Sequence, residues 1–117
     1  MIFVSALASF SSDLQLKLIA KVDVPTGPKS VYLTPDGKHV WANCLYAHRC
    51  VMIAVDTRKI VKEFKTPGEP VECCFTQSGK LAWVSQYNQR TVVVLDTESG
   101  KLLHSIKVGK VPKIVRA

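Results

Sequence analysis

The side chains that could do chemistry here are three histidines, four cysteines and nine carboxylates, and their spacing limits what they can do. Nucleophilic catalysis needs a nucleophile held against an oriented base. His39, His48 and His104 stand in no nucleophile-elbow or comparable setting. Asp36, Asp56 and Asp96 fall in turn-like segments, where a carboxylate closes the local backbone, so a capping role is expected of them. Thr97-Glu98-Ser99-Gly100-Lys101 lacks the pattern of a phosphate-binding loop and reads as a hairpin turn. No catalytic residue and no cofactor is nominated.

Cys44, Cys50, Cys73 and Cys74 make no paired CxxC framework. Cys44, His48 and Cys50 could gather around one loop, with His39 near in sequence. A fourth ligand is missing and the spacing fits no common zinc pattern, so no metal is assigned. A Cys44–Cys50 disulfide closing a hairpin is the alternative for an exported chain. Cys73 and Cys74 read as small buried apolar side chains.

Contact chemistry is better represented. Leu45-Tyr46-Ala47-His48-Arg49 and Gln86-Tyr87-Asn88-Gln89-Arg90 each carry a Tyr with an Arg three residues on. Tyr and Arg offer large contact area with a polar end. Tyr46, His48, Arg49, Tyr87, Asn88 and Arg90 therefore form a candidate surface for a protein or small ligand. The competing reading is that these Tyr and Arg residues pack between structural repeats. Trp41 and Trp83 are expected in packing, with carbohydrate stacking as the alternative.

The elements that must position these residues follow from an internal repeat. Val24–Lys65 aligns with Thr66–Lys107. Pro28 recurs as Pro70 and Pro112, Gly37 as Gly79 and Trp41 as Trp83, each at an offset of 42. Asp56-Thr57 aligns with Asp96-Thr97 at 40, which implies two extra residues before Cys50 and two missing after Thr57. Residues 17–22 match the end of a unit and read as the last strand of a preceding copy, and Val108–Ala117 starts another. Each unit reads as four strands: Val31–Thr34, His39–Asn43, Cys50–Val55 and Val61–Lys65, then Glu72–Thr76, Leu81–Gln86, Thr91–Leu95 and Leu102–Lys107. The third strands are continuous apolar runs, which suit burial on both faces, while the fourth alternate like half-exposed outer strands. The fold class is all-β. Four strands in about 42 residues describe a β-propeller blade, giving one partial domain over residues 1–117 with blade parts at 1–23, 24–65, 66–107 and 108–117.

Gly27-Pro28, Val31, Pro35-Asp36-Gly37-Lys38, Trp41-Ala42-Asn43 and Val51-Met52-Ile53-Ala54-Val55-Asp56-Thr57 together resemble the YVTN-type β-propeller repeat. The second unit departs from it, with Gln77-Ser78-Gly79 at the turn and Trp83-Val84-Ser85 in the naming tetrapeptide. The resemblance covers Leu16–Ala117. It implies a bacterial or archaeal protein, often exported, hence a periplasmic or extracellular location. It also implies relatives of several kinds: surface-layer-like proteins, lactonase-like enzymes and haem-d1-binding reductase domains. The reading is a non-catalytic binding module, part of a longer propeller. The alternative is part of an enzyme whose active site lies on other blades, with Glu72 the best acid among the first strands.

Composition bounds the partners. The net charge is +7. Lys101, Lys107, Lys110, Lys113 and Arg116 stand in a stretch without acids, but they are spaced like the solvent face of a strand. No basic run interleaves with aromatics, so no nucleic-acid partner is expected. No apolar run approaches the roughly 18 residues of a membrane span. Met1–Ser12 lacks the basic start of a signal peptide and reads as a strand or the frayed start of a truncated chain. A ring needs at least about four blades, so the apolar blade faces must be covered by remaining blades or by self-association of copies.

Overall fold

The structure, a computed structural model, describes residues 14–116. Among these residues it holds eight strands and no helix. β1 (Pro28–Leu33), β2 (His39–Cys44), β3 (Arg49–Ala54) and β4 (Ile60–Lys65) form one antiparallel sheet. β5 (Pro70–Phe75), β6 (Leu81–Gln86), β7 (Thr91–Asp96) and β8 (Leu102–Lys107) form the second, again in sequential order. The expectation for Met1–Ser12 lies outside the described residues.

Turn chemistry explains why the chain folds back where it does. Gly37 and Gly79 take left-handed φ of 71° and 72°, and their N–H groups donate to the carbonyls of Thr34 and Thr76, both at 2.8 Å. Asp36 Oδ1 accepts from the Lys38 N–H at 2.9 Å and from the Thr34 hydroxyl at 2.6 Å. Ser78 Oγ takes over the first of these tasks for Lys80 at 3.3 Å. The Gln77-Ser78-Gly79 sequence thus makes the same turn as Pro35-Asp36-Gly37 with a weaker cap.

The repeat keeps one register throughout, which corrects the alignment read from sequence. Trp41 faces Met52 as Trp83 faces Val94, and both pairs lie 42 residues apart. Left-handed His48 and Arg90 (φ 51° and 54°) close equivalent loops, and left-handed Arg58 and Gly100 (φ 59° and 77°) close the next ones. No residues are inserted before Cys50. Asp96 ends β7 and is the counterpart of Ala54, so it is not equivalent to Asp56. The matching Asp-Thr pairs arise because a five-residue connection can be capped at two positions. Asp56 Oδ1 accepts from the Thr57 N–H at 2.7 Å, whereas Asp96 Oδ1 accepts from Ser99 at 2.7 Å and Glu98 at 2.9 Å.

Register also decides which face each side chain joins, because successive residues of a strand point to opposite sides. Trp41, Cys50, Met52 and Phe64 share one face of the first sheet. They pack on Cys73, Ala82, Val84, Val93 and Leu95 from one face of the second. Trp41 is fully buried there, with its ring 4.5 Å from Phe64 and edge-on to Phe75 at 5.5 Å. A polar chain runs alongside. Trp41 Nε1 (2.8 Å) and Cys50 Sγ (3.1 Å) donate to Asn43 Oδ1, Asn43 Nδ2 donates to Ser30 Oγ at 2.9 Å, and Ser30 Oγ donates across to the Val71 carbonyl. The Tyr32 hydroxyl donates to the Glu72 carboxylate, and Lys62 Nζ donates to the Thr97 carbonyl at 3.0 Å.

The outer faces of the pair are covered unequally. Ala42, Cys44, Val51 and Ile53 are buried on the first sheet's other side, with Val22 and Val24 packed against them. Val22 and Val24 stand 42 residues before Phe64 and Thr66, so this segment covers the first sheet where β4 covers the second. Residues 17–22 nevertheless form no strand, contrary to the expectation, because among the described residues no neighbouring strand is there to pair with them. On the far side of the second sheet, Trp83 is only half-buried and Ile106 is exposed, although their counterparts Trp41 and Phe64 are buried. Every residue of β8 is exposed, so its expected alternation is not seen there, while β4 does alternate. Trp83 Nε1 has no hydrogen-bond partner, because Ser85 replaces the Asn that serves Trp41.

Two measurements follow from the contact between the sheets. Trp41→Ala should cost about 3–5 kcal/mol in chemical denaturation, and Trp83→Ala less than half as much; equal losses would contradict the asymmetry. Burial, and next the bond to Glu72, raises the Tyr32 hydroxyl from 10.0 to about 12. A phenol whose folded value is raised adds stability that is complete below its unfolded value. That stability should be lost as pH climbs from about 10 to about 12, and Tyr32→Phe should lose this part of the pH dependence. An unchanged profile in the variant would show that Tyr32 does not carry it.

Candidate functional site

In each sheet the loop between second and third strands emerges at the same end as the incoming connection. The two are bonded to one another. In the first sheet, the N–H groups of Leu45 and Ala47 donate to the carbonyls of Gly27 and Thr26 at 2.7 and 3.2 Å. The Tyr46 ring lies so close over Gly27 that a Cβ there would meet it at 2.6 Å. Gly27 also holds a left-handed φ of 75°, so both space and backbone require glycine. In the second sheet, Tyr87 N–H donates to the Glu69 carbonyl at 2.9 Å, and Asn88 Oδ1 accepts from the Glu69 N–H at 3.0 Å. Gln86, fully buried, accepts from the Gly68 N–H at 2.9 Å. These bonds fix the loop backbones and take up the Asn88 side-chain oxygen, while the Tyr46 and Tyr87 rings stay exposed.

Tyr46 is 69% exposed and Tyr87 43%. His48, Asn88 and Arg90 are exposed, and Arg49 is half-buried. The topology brings all six to one end of the two sheets, three on each loop. Arg49 is drawn back along its own sheet. Its Nη1 meets Glu63 Oε2 at 2.8 Å and its Nε donates to the Ala47 carbonyl at 3.3 Å.

The uniform register changes how the two loops correspond. Tyr46 is equivalent to Asn88, and His48 to Arg90, each 42 residues apart. The two Tyr–Arg spacings are therefore not equivalent: Arg49 opens β3, whereas Arg90 closes its loop in left-handed conformation. Gln89, which packs over Gly68, belongs to the same end and was not singled out from sequence. Its signal would have been the glycine it covers.

Other chemistry-bearing groups are engaged structurally. Cys44 and Cys50 are free thiols rather than a disulfide. Cys44 is registered with Arg49 and Cys50 with Asn43, so the two point to opposite faces of the sheet and cannot be bridged in this register. Burial pushes the thiols of Cys44, Cys50, Cys73 and Cys74 up, which suppresses the reactive thiolate. The Glu72 carboxylate is occupied by the Tyr32 hydroxyl. Among the described residues, no three His, Cys, Asp or Glu side chains gather to hold a metal ion. At the opposite end of the sheets, Asp36, His39, Met52, Lys62, Gly79 and Glu98 line a shallow cleft between the blades. His39 Nδ1 stands 3.9 Å from Asp36 Oδ2 there. The Thr34 hydroxyl, then the Lys38 N–H, lower the Asp36 carboxyl, in keeping with its work as a turn cap.

No protein-family model and no curated protein matches the sequence. Solved structures do resemble the fold. Kuenenia stuttgartiensis hydrazine synthase superposes with a TM-score of 0.72 at 24% identity, over 85% of this chain and 28% of that one. U3-55K gives 0.67 at 8% identity, over 76% and 29%. The β-propeller domain of Myceliophteria thermophila Cps50 (Swd1) gives 0.66 at 10% identity, over 74% and 26%. The chain thus spans less than a third of the length of these neighbours. At such identities the likeness concerns the fold, and that fold is the β-propeller.

Proposed function

We propose that this chain is a non-catalytic segment of a longer β-propeller of the YVTN type. In this reading the loop end formed by Tyr46, His48, Arg49, Tyr87, Asn88 and Arg90 contacts a protein or small ligand. The observation that carries the reading is the combination at that end of exposed tyrosines with backbone pinned by the incoming connections. Side chains held on a fixed backbone lose little entropy on binding, and Tyr supplies amphipathic area. The apolar face around Trp83, Val92 and Ile106 takes a further blade, as the Trp41 face takes the second sheet. The rival reading, an enzyme whose active site lies on other blades, draws no support from the described residues, where Glu72 is bonded to Tyr32 and Cys44, Cys50 and Cys73 are buried.

Amide chemical-shift mapping with a panel of small polar-aromatic fragments tests the location. Shifts should cluster at residues 46–49 and 87–90, and Tyr46→Ala/Tyr87→Ala should remove them while the strand amides keep their positions. Shifts confined to the cleft around Asp36, His39 and Lys62 would refute the loop-end assignment.

A further inference from the structure

The charges at the loop end specify what class of partner it suits, an inference that rests on the loop-end reading above. Each sheet presents the same pair of basic positions there. His48 and Arg90, the left-handed residues that close the loops, accept through their carbonyls from the N–H groups of Thr66 and Val108 at 3.0 and 2.9 Å. Those two residues directly follow Lys65 and Lys107, the last residues of β4 and β8. The backbone bond therefore seats His48 opposite Thr66 and Arg90 opposite Val108, one residue along from Lys65 and Lys107, whose own cross-strand partners are Arg49 and Thr91; His48, Lys65, Arg90 and Lys107 are all exposed. Lys110, also exposed, continues the second pair along the outgoing connection.

Few acids compensate them. Glu63 is taken by Arg49 at 2.8 Å, no acid occurs from Ser99 to Arg116, and Asp23 and Glu69, on the incoming connections, are the acids that remain at this end. The opposite end is mixed instead, with Asp36, Asp56 and Glu98 among Lys38, Arg58, Lys59, Lys80 and Lys101. Lys62, on that side, spends its ammonium on the Thr97 carbonyl.

We propose that the loop end binds an acidic polypeptide segment, with carboxylates seated on the His48–Lys65 and Arg90–Lys107 pairs and its side-chain stems against Tyr46 and Tyr87. Lys65 and Lys107 end the outer strands, whereas the sheets meet through β1, β2 and β5, so the two pairs stand further apart than the roughly 10 Å of directly packed sheets; a peptide of about ten residues, at roughly 3.3 Å per residue, has the reach for both. Scattered basic side chains interspersed with neutral Asn88 and Gln89 and acidic Glu69 suit such a peptide better than a nucleic acid, whose tight binding neutralises a continuous run of phosphates.

Fluorescence anisotropy of a labelled peptide of about ten residues with Glu at alternate positions tests this, with an oligothymidylate of similar length as the rival probe. The peptide should bind at low salt, and Arg90→Glu/Lys107→Glu should weaken it by about tenfold or more. Lys65→Glu/Lys107→Glu, which leaves the left-handed positions untouched, should do the same with an unchanged circular dichroism spectrum. Lys38→Glu/Lys80→Glu at the opposite end should change affinity less than about twofold, and raising salt to about 0.5 M should abolish most of the binding. Peptide binding indifferent to the loop-end reversals, or oligothymidylate binding as tight as the peptide, would overturn the proposal. If fragments still map to the loop end in that case, only the acidic specificity falls and the surface itself stands.

Discussion

The structure depends on one contact: the face of the first sheet that carries Trp41 laid against the second. A four-stranded sheet that is apolar on both sides cannot bury itself, so each blade is stable only through its neighbours. Trp41 fills that contact with Phe64 and Phe75 around its ring. Its indole N–H would be costly to bury alone, and Asn43 accepts it. Asn43 then passes the network through Ser30 to the Val71 backbone, so one polar thread fixes the sliding register of two apolar faces. Apolar burial supplies most of the attraction, and the thread supplies its geometry.

The candidate surface follows from the same constraint. Packing the sheets face to face aligns their ends, and this places the two loops side by side at one end and the tight turns at the other. The loops are bonded to the incoming connections, so their positions are set by the blade frame rather than by their own sequences. That freedom allows Tyr46 and Asn88, or His48 and Arg90, to occupy equivalent places with different chemistry. Conserving the backbone while varying the exposed side chain is how a repeat architecture supports recognition.

Much of this was legible in the sequence, for physical reasons. Strand runs, Gly turns and the Trp spacing are local signals, and they gave the eight strands and their repeat. The register of β3 was misread because Asp-Thr recurs at turns for capping reasons, at whichever position lets its carboxylate reach a backbone N–H group of the connection. That error carried into the equivalence drawn between the two Tyr–Arg spacings. The Cys44–Cys50 bridge failed on parity: six residues apart across a hairpin, they lie one position off register and on opposite faces. The role of Asn43 was likewise invisible, since its partners Ser30, Trp41 and Cys50 lie on three strands whose register only the sheet sets. The basic pairs at Lys65 and Lys107 emerge only when the fold sets the ends of the outer strands beside the loops.

Native-state amide hydrogen exchange tests the central claim most directly. If the Trp41 contact joins the sheets into one unit, the slowest amides of β2 and β3 and those of β6 and β7 will share a single opening free energy and denaturant dependence. Two separate opening energies, with the second sheet exchanging while the first stays protected, would show that the blades are stable apart and that the contact does not govern the fold.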